Sequence, residues 1–392
     1  MRVSALLGPR RRVMADYDLK IGTQGPIFPP IDNVLKTVKK FDGLYDSVWW
    51  PDHLMGWIPD ALWQPELIEL SKFQKSPHTF LETLTTMACV ASNTSSILLG
   101  SAVTETFRRH PAMLAQAFLT LDHISKGRAI LGIGPGEAEN VVPYGIKWRY
   151  PARRLRESIE VIRLLWSGKI SDYDGQIWKL KDAVLSLPPE RDGKYPPIWV
   201  GAHSDKTLEI TGELGDGWIP EHLEINEYFE KLKMIKDASK KAGREPDSVT
   251  PALLTSLILA EDSEDCRQML GSVAAKAYAL LTPSEKYEQY GYKHPFGEFN
   301  AYKQYIPTRV EKNQILPALE KVPEEICERR YIHGNADEVI RVIENYARKG
   351  LRHIILWNLT PLCDYQKTRE SFAILLKIVD YFKNGANKNP AP

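Results

Sequence analysis

The chain has 392 residues, 43% of them hydrophobic, with 51 Lys plus Arg against 50 Asp plus Glu. That balance excludes the basic excess that nucleic-acid binding needs. Four scattered cysteines without a CxxC pair exclude a zinc ribbon or disulfide framework, so reduced thiols in a cytoplasm are expected, and with no run of ~18 apolar residues nothing is expected to span a membrane.

In chain order, MRVSALLGPRRRVMADYD carries its arginines after its short apolar run, the reverse of a secretory signal. Residues 1–16 read as a flexible tail, or as an extension upstream of a true start at Met14. Eight short β-rich runs follow: 17–22, 47–51, 96–103, 129–134, 198–202, 217–220, 251–260 and 353–359. Several are continuously apolar, as strands buried on both faces should be. Between them lie helical stripes, one on Leu155, Ile159, Ile162 and Leu165/Trp166 and another on Val339, Ile340, Ile343 and Ala347. SKG at 125–127, WSG at 166–168 and RKG at 348–350 stop helices at glycine, and Asp337 is a candidate cap.

Eight strands with crossovers predict one α/β domain over 17–384, a (β/α)8 TIM barrel, ahead of a doubly wound open sheet. Residues 385–392 read as a second tail. Segments 54–78 and 280–325 are too long for simple connections and are rich in aromatics, including Trp57, Trp63, Phe73, Tyr287, Tyr302 and Tyr305. Such segments are lids or pocket walls, or a surface cluster at a dimer interface.

Barrel sites lie at the C-terminal ends of the strands. Those ends present Asp52-His53, Thr104-Glu105, Gly136-Glu137 and His203-Ser204. The stretch ILGIGPGEAEN begins like a dinucleotide fingerprint, but position 137 is glutamate where the third glycine belongs. A carboxylate there repels pyrophosphate, so the stretch is a strand end presenting an acid. Asp52-His53 with Glu137 converging is acid/base machinery. A metal set of His53, Glu137 and His203 is the weaker alternative, since no HxH or HExxH spacing supports it, and no metal is expected.

The run LLGSAVTETFRRHPAMLAQAFLTLDHISKGRAILGIGPGE, with LRESIEVIRLLWSG and IWVGAHSDKTLEITGELGDGW, resembles the bacterial luciferase-like superfamily, in its coenzyme F420-dependent branch. The resemblance runs from about residue 18 to 380. DAVLSLPPERDGKYPPIWVGAH, KHPFG and YIPTRVEKNQIL are similar to phthiodiolone dimycocerosates ketoreductases, and PDHLMGW to F420-dependent glucose-6-phosphate dehydrogenases.

The resemblance implies F420, with FMN as the alternative. It implies His53 as acid/base on the substrate oxygen, Trp57 supporting the charge there, and Glu137 as second proton-handling group. Cofactor contacts would come from Asp52, Ser101, Ala102, Thr104, Gly136, Asn140, Gly201, Ala202, His203 and Ser204, with a non-prolyl cis peptide at Ser101-Ala102. The glycines of 130–140 would let the backbone pass beside the ring. Lys286 and Arg329 would be substrate cations. Leu223 stands where the sugar-phosphate enzymes hold phosphate with lysine, which argues against glucose 6-phosphate. A homodimer acting on a small molecule is implied. Four readings compete: carbonyl/alcohol interconversion, C–N reduction as in methylenetetrahydromethanopterin reductases, FMN-dependent monooxygenation, and a non-enzymatic flavin-binding barrel.

Overall fold

The computed structural model describes residues 18–385. The predicted N-terminal tail and, but for Gly385, the C-terminal one lie outside them. The strands are β1 (Lys20–Gln24), β2 (Ser47–Trp50), β3 (Leu98–Ser101), β4 (Ala129–Ile133), β5 (Ser171–Asp174), β6 (Lys179–Ala183), β7 (Ile198–Val200), β8 (Gly217–Trp218), β9 (Thr250–Leu259), β10 (Ile332–Gly334) and β11 (His353–Asn358). Eight of them close a parallel ring in the order β1-β2-β3-β4-β7-β8-β9-β11, with β11 returning to β1. This is a TIM barrel, and its eight strands are the eight apolar runs of the sequence.

Two pieces were not foreseen. β5 and β6 form an antiparallel hairpin whose SDYD and KLKDA stretches are half-exposed and carry no apolar run. β10 pairs with the C-terminal end of β9 and has only three residues.

The helical stripes are buried as predicted, in Pro151–Trp166 and Ala336–Arg348. The second helix is capped by Asn335, which forms a capping box with Glu338. The cap is thus two residues before Asp337, which lies inside the first turn.

The barrel interior is a packed layer beneath the C-terminal opening. Trp49 and Trp199 pack with ring centroids 5.0 Å apart and planes tilted by 35°. The Ser47 hydroxyl receives the Trp49 indole N–H at 2.7 Å and meets His353 Nε2 at 2.7 Å. Burial pushes His353 down to about 3 and keeps it neutral. The indoles need room, which explains Gly100 and Gly217, where a Cβ would strike Trp49 and Trp199 respectively.

Both long insertions pack on each other at one end of the barrel. Ile58, Leu62 and Ile68 from the first share a buried cluster with Leu280, Tyr287, Ile315 and Leu319 from the second. The Tyr305 hydroxyl donates to the Trp57 carbonyl at 2.8 Å. Trp57 and Trp63 are packed against this cluster, whereas Phe73 is exposed and stacks on Tyr365. Among the described residues no helix is long and apolar enough to cross a membrane.

Candidate active site

The ends of β2, β3 and β4 converge. Asp52 follows β2 and is 4% exposed. It accepts from Thr104 Oγ1 at 2.6 Å and from Arg109 through both oxygens, with Arg108 Nη2 3.3 Å away. Arg109 also reaches Glu82, and Arg108 reaches Glu105. Asp52, expected at the cofactor, is therefore the hub of a buried ion-pair network. Thr104 and Ser101 are likewise fully buried. Ser101 is spent clamping Gly132, whose carbonyl it bonds at 2.7 Å and whose N–H it accepts at 3.1 Å.

That clamp corrects the reading of the glycine run. A Cβ on Gly132 would collide with the Ser101 carbonyl, and one on Gly134 would lie 2.7 Å from Val103 Cγ2. These two glycines let β4 pass close to the end of β3. The cis peptide lies between Ala102 and Val103, one bond later than expected.

Glu137 follows β4, and the chain then makes a 3₁₀ turn over Ala138–Asn140. That turn brings Glu139, which the sequence reading passed over, to 3.0 Å from His53 Nδ1. His53 Nδ1 also lies 3.3 Å from the Met55 carbonyl and 3.1 Å from Asn140 Nδ2. Asn140 Oδ1 takes the Leu54 N–H at 2.9 Å, so Asn140, expected on the cofactor, braces the His53 loop. One ring nitrogen of His53 and one carboxylate oxygen each of Glu137 and Glu139 lie within 4.8 Å of one another. This trio, without His203, is the convergent set.

Burial disfavours a charged His53, but the hydrogen bond and charge of Glu139, with Glu137 adding, lift it to about 9. Glu137 is raised to about 7, chiefly by burial, then by Glu139 and Glu221, against His53 and Arg108. One imidazole is thus protonated at neutral pH beside a carboxyl that titrates there.

A second group comes from Glu221 after β8, Tyr278 and Arg330 on the helices that flank the second insertion, and Tyr302 within it. Glu221 pairs with Arg330 and accepts from Tyr278 and, at 3.2 Å, from Tyr302. Burial opposes its charge, but Arg330 and Tyr278 hold it down at about 2. Tyr302 stacks on His203 at 5.8 Å. His203 and His222 are each pushed down to about 4 by burial. Trp57 packs on Tyr278 at 4.6 Å and on Trp357 at 6.4 Å. Arg330, one residue after the expected Arg329, is the arginine that reaches in. Arg329 is bound to Glu224 and Glu325, and Lys286 to Glu227.

Ala102, Val103 and Leu254 form a half-buried apolar floor over the Trp49–Trp199 layer. Gly201 keeps it open, since a Cβ there would fall 3.1 Å from Val103. Beside it, Ser204 and Thr207 form a capping box at the start of the helix Asp205–Leu214. Its first amides, of Asp205 and Lys206, have no acceptor among the described residues and suit an anion. An apolar floor and a helix amino end are features that a ring system with a phosphorylated tail can use, and Gly201, Ala202, His203 and Ser204 lie on the segment between them.

A model of the family described as luciferase-like monooxygenase matches residues 1–353. A phthiodiolone/phenolphthiodiolone dimycocerosates ketoreductase of Mycobacterium tuberculosis is 36% identical over 319 residues, 80% of this chain and 84% of the relative. A 5,10-methylenetetrahydromethanopterin reductase of Archaeoglobus fulgidus is 30% identical over 269 residues, 69% of this chain and 79% of its own. Among solved structures, an F420-dependent secondary alcohol dehydrogenase in complex with an F420-acetone adduct superposes with a TM-score of 0.72. It is 21% identical and covers 92% of this chain and 99% of its own.

Proposed function

The chain belongs to the luciferase-like monooxygenase family, and on that premise we propose that it is an F420-dependent oxidoreductase interconverting a carbonyl and a secondary alcohol. The observation that carries the reading is His53 held at Nδ1 by Glu139 at 3.0 Å, with Glu137 in the same cluster. When bound, coenzyme F420 supplies or accepts a hydride at C5 of its deazaflavin ring. The helix start at Ser204–Lys206 would hold the cofactor's phosphate, and Ala102, Val103 and Gly201 would support its ring.

Carbonyl reduction builds negative charge on oxygen, and His53 neutralises it by proton transfer. With Nδ1 engaged by Glu139, Nε2 is the nitrogen open to the substrate. A donor so positioned is worth ~10²–10⁴-fold in rate. The Trp57–Tyr278–Trp357 wall excludes water and favours a carbonyl with apolar substituents. A homodimer remains part of this reading.

C–N reduction, named in the A. fulgidus relative, is the second reading. An iminium carbon is already cationic and needs no proton donor, so the elaborate hold on His53 speaks against it. FMN-dependent monooxygenation is the third reading, favoured by the family's description and by monooxygenases of the same fold, one of them in complex with FMN. The test is substitution: His53→Ala should lower turnover of a ketone by ~10²-fold or more with cofactor affinity little changed. Near-normal turnover in His53→Ala, with Glu137→Gln inactive, transfers the assignment to C–N reduction.

A further inference from the structure

We propose that Glu139 is a positioning residue that fixes His53 through Nδ1 and keeps it a proton donor, so that the site works as a carbonyl reductase at neutral pH. This rests on the acid/base role of His53 above, and it concerns a residue outside every expectation drawn from the sequence.

The geometry is specific. Glu139 is 7% exposed at its side chain and His53 21%, with 3.0 Å between Oε1 and Nδ1. The Met55 carbonyl is a second acceptor at Nδ1. Glu139 and Met55 both accept at Nδ1, against one competing donor there, Asn140 Nδ2 at 3.1 Å; the charged acceptor holds the proton on Nδ1, so the ring's variable proton is at Nε2. The Leu54 N–H fixes the Asn140 amide with its NH₂ toward His53 and, at 3.4 Å, toward Glu139. A buried carboxylate with a second carboxyl, Glu137, within 4.8 Å is costly unless a cation meets it, so Glu139 favours the imidazolium. The other groups facing the ring are Glu137 from the same turn, which adds to the effect, Arg108 from beyond β3, which opposes it, and Phe80, stacked at 5.9 Å.

In reduction the carbonyl carbon gains two electrons and one hydrogen as hydride from the reduced cofactor. The oxygen gains a proton from Nε2, His53 becomes neutral with its Nδ1–H on Glu139, and solvent returns the proton. Alcohol oxidation needs the neutral ring. With a midpoint near 9, only ~1% of sites offer it at pH 7.

The experiment measures kcat/KM against pH in both directions for the wild type, Glu139→Gln, Glu139→Asp and His53→Gln, using a small ketone and its alcohol. It adds the NMR titration of the His53 ring in the cofactor-free protein. In Glu139→Gln the His53 midpoint should fall from about 9 toward its ordinary 6.5. Reduction at pH 8 should then drop ~30-fold while at pH 6 it changes less than about twofold. Oxidation at pH 7 should not drop, and Glu139→Asp should restore much of the alkaline limb. An unmoved midpoint, or an equal loss at every pH and in both directions, overturns the proposal. If His53→Gln is harmless the acid/base reading fails instead, and the NMR midpoint still reports whether Glu139 governs the ring.

Discussion

Replacing Asp52 by Asn keeps the shape of the hub behind the site and removes its charge. The carboxylate is 4% exposed and faces Arg108 and Arg109, whose side chains are 10% and 22% exposed. Breaking a buried pair costs ~3–5 kcal/mol because the partner is left uncompensated. Here each guanidinium retains one other acid, Glu105 or Glu82, which sets the loss at the lower end, about 3 kcal/mol. That is a large share of the ~5–15 kcal/mol that folds a domain. Guanidinium chloride unfolding should show the midpoint falling with its slope unchanged. Adding Arg109→Met should cost less in the Asn background than alone, with a coupling of ~1–3 kcal/mol. A loss under about 1 kcal/mol, or simple additivity, would refute the hub and return Asp52 to direct cofactor contact.

Glu137, raised to about 7, should give the rate profile an inflection near neutrality that Glu137→Gln removes, while the alkaline limb of His53 persists but moves down, since the Glu137 charge helps to raise it. A profile unchanged in that variant would take Glu137 out of the proton chemistry. Gly132→Ala drives a Cβ into the Ser101 carbonyl and should cost ~2–3 kcal/mol. Gly271→Ala, at a helix end with ordinary φ of −79° and its nearest contact at 3.4 Å, should be neutral or gain ~0.4–1 kcal/mol. Thermal unfolding of both variants reads the contrast, and equal effects would contradict the tight passage of β4 along β3.

The barrel was legible because its strands are buried on both faces, and eight apolar runs survive as eight parallel strands. The β5–β6 hairpin was not, since only one face, with Tyr173, Leu180 and Ala183, is partly buried, which leaves no apolar run to read. The site divides along the same line. His53 and Glu137 stand at strand ends and were found by position alone. Glu139 stood in plain view in GEAEN, but only the 3₁₀ turn at Ala138–Asn140 reveals that it, two residues on, meets His53. Arg108, Arg109, Glu221 and Arg330 act through partners 50 or more residues away, which spacing does not disclose. Arg329 and Arg330 differ by one position, and only the fold decides which faces inward.

The most direct test of carbonyl chemistry with F420 is anaerobic mixing of the protein with reduced F420 and an apolar ketone, followed by the fluorescence of the oxidised cofactor. The account predicts turnover that depends on the ketone, produces the secondary alcohol in equal amount and falls ~10²-fold in His53→Ala. No oxidation of F420 under those conditions, together with oxygen-dependent turnover of reduced FMN, would contradict it.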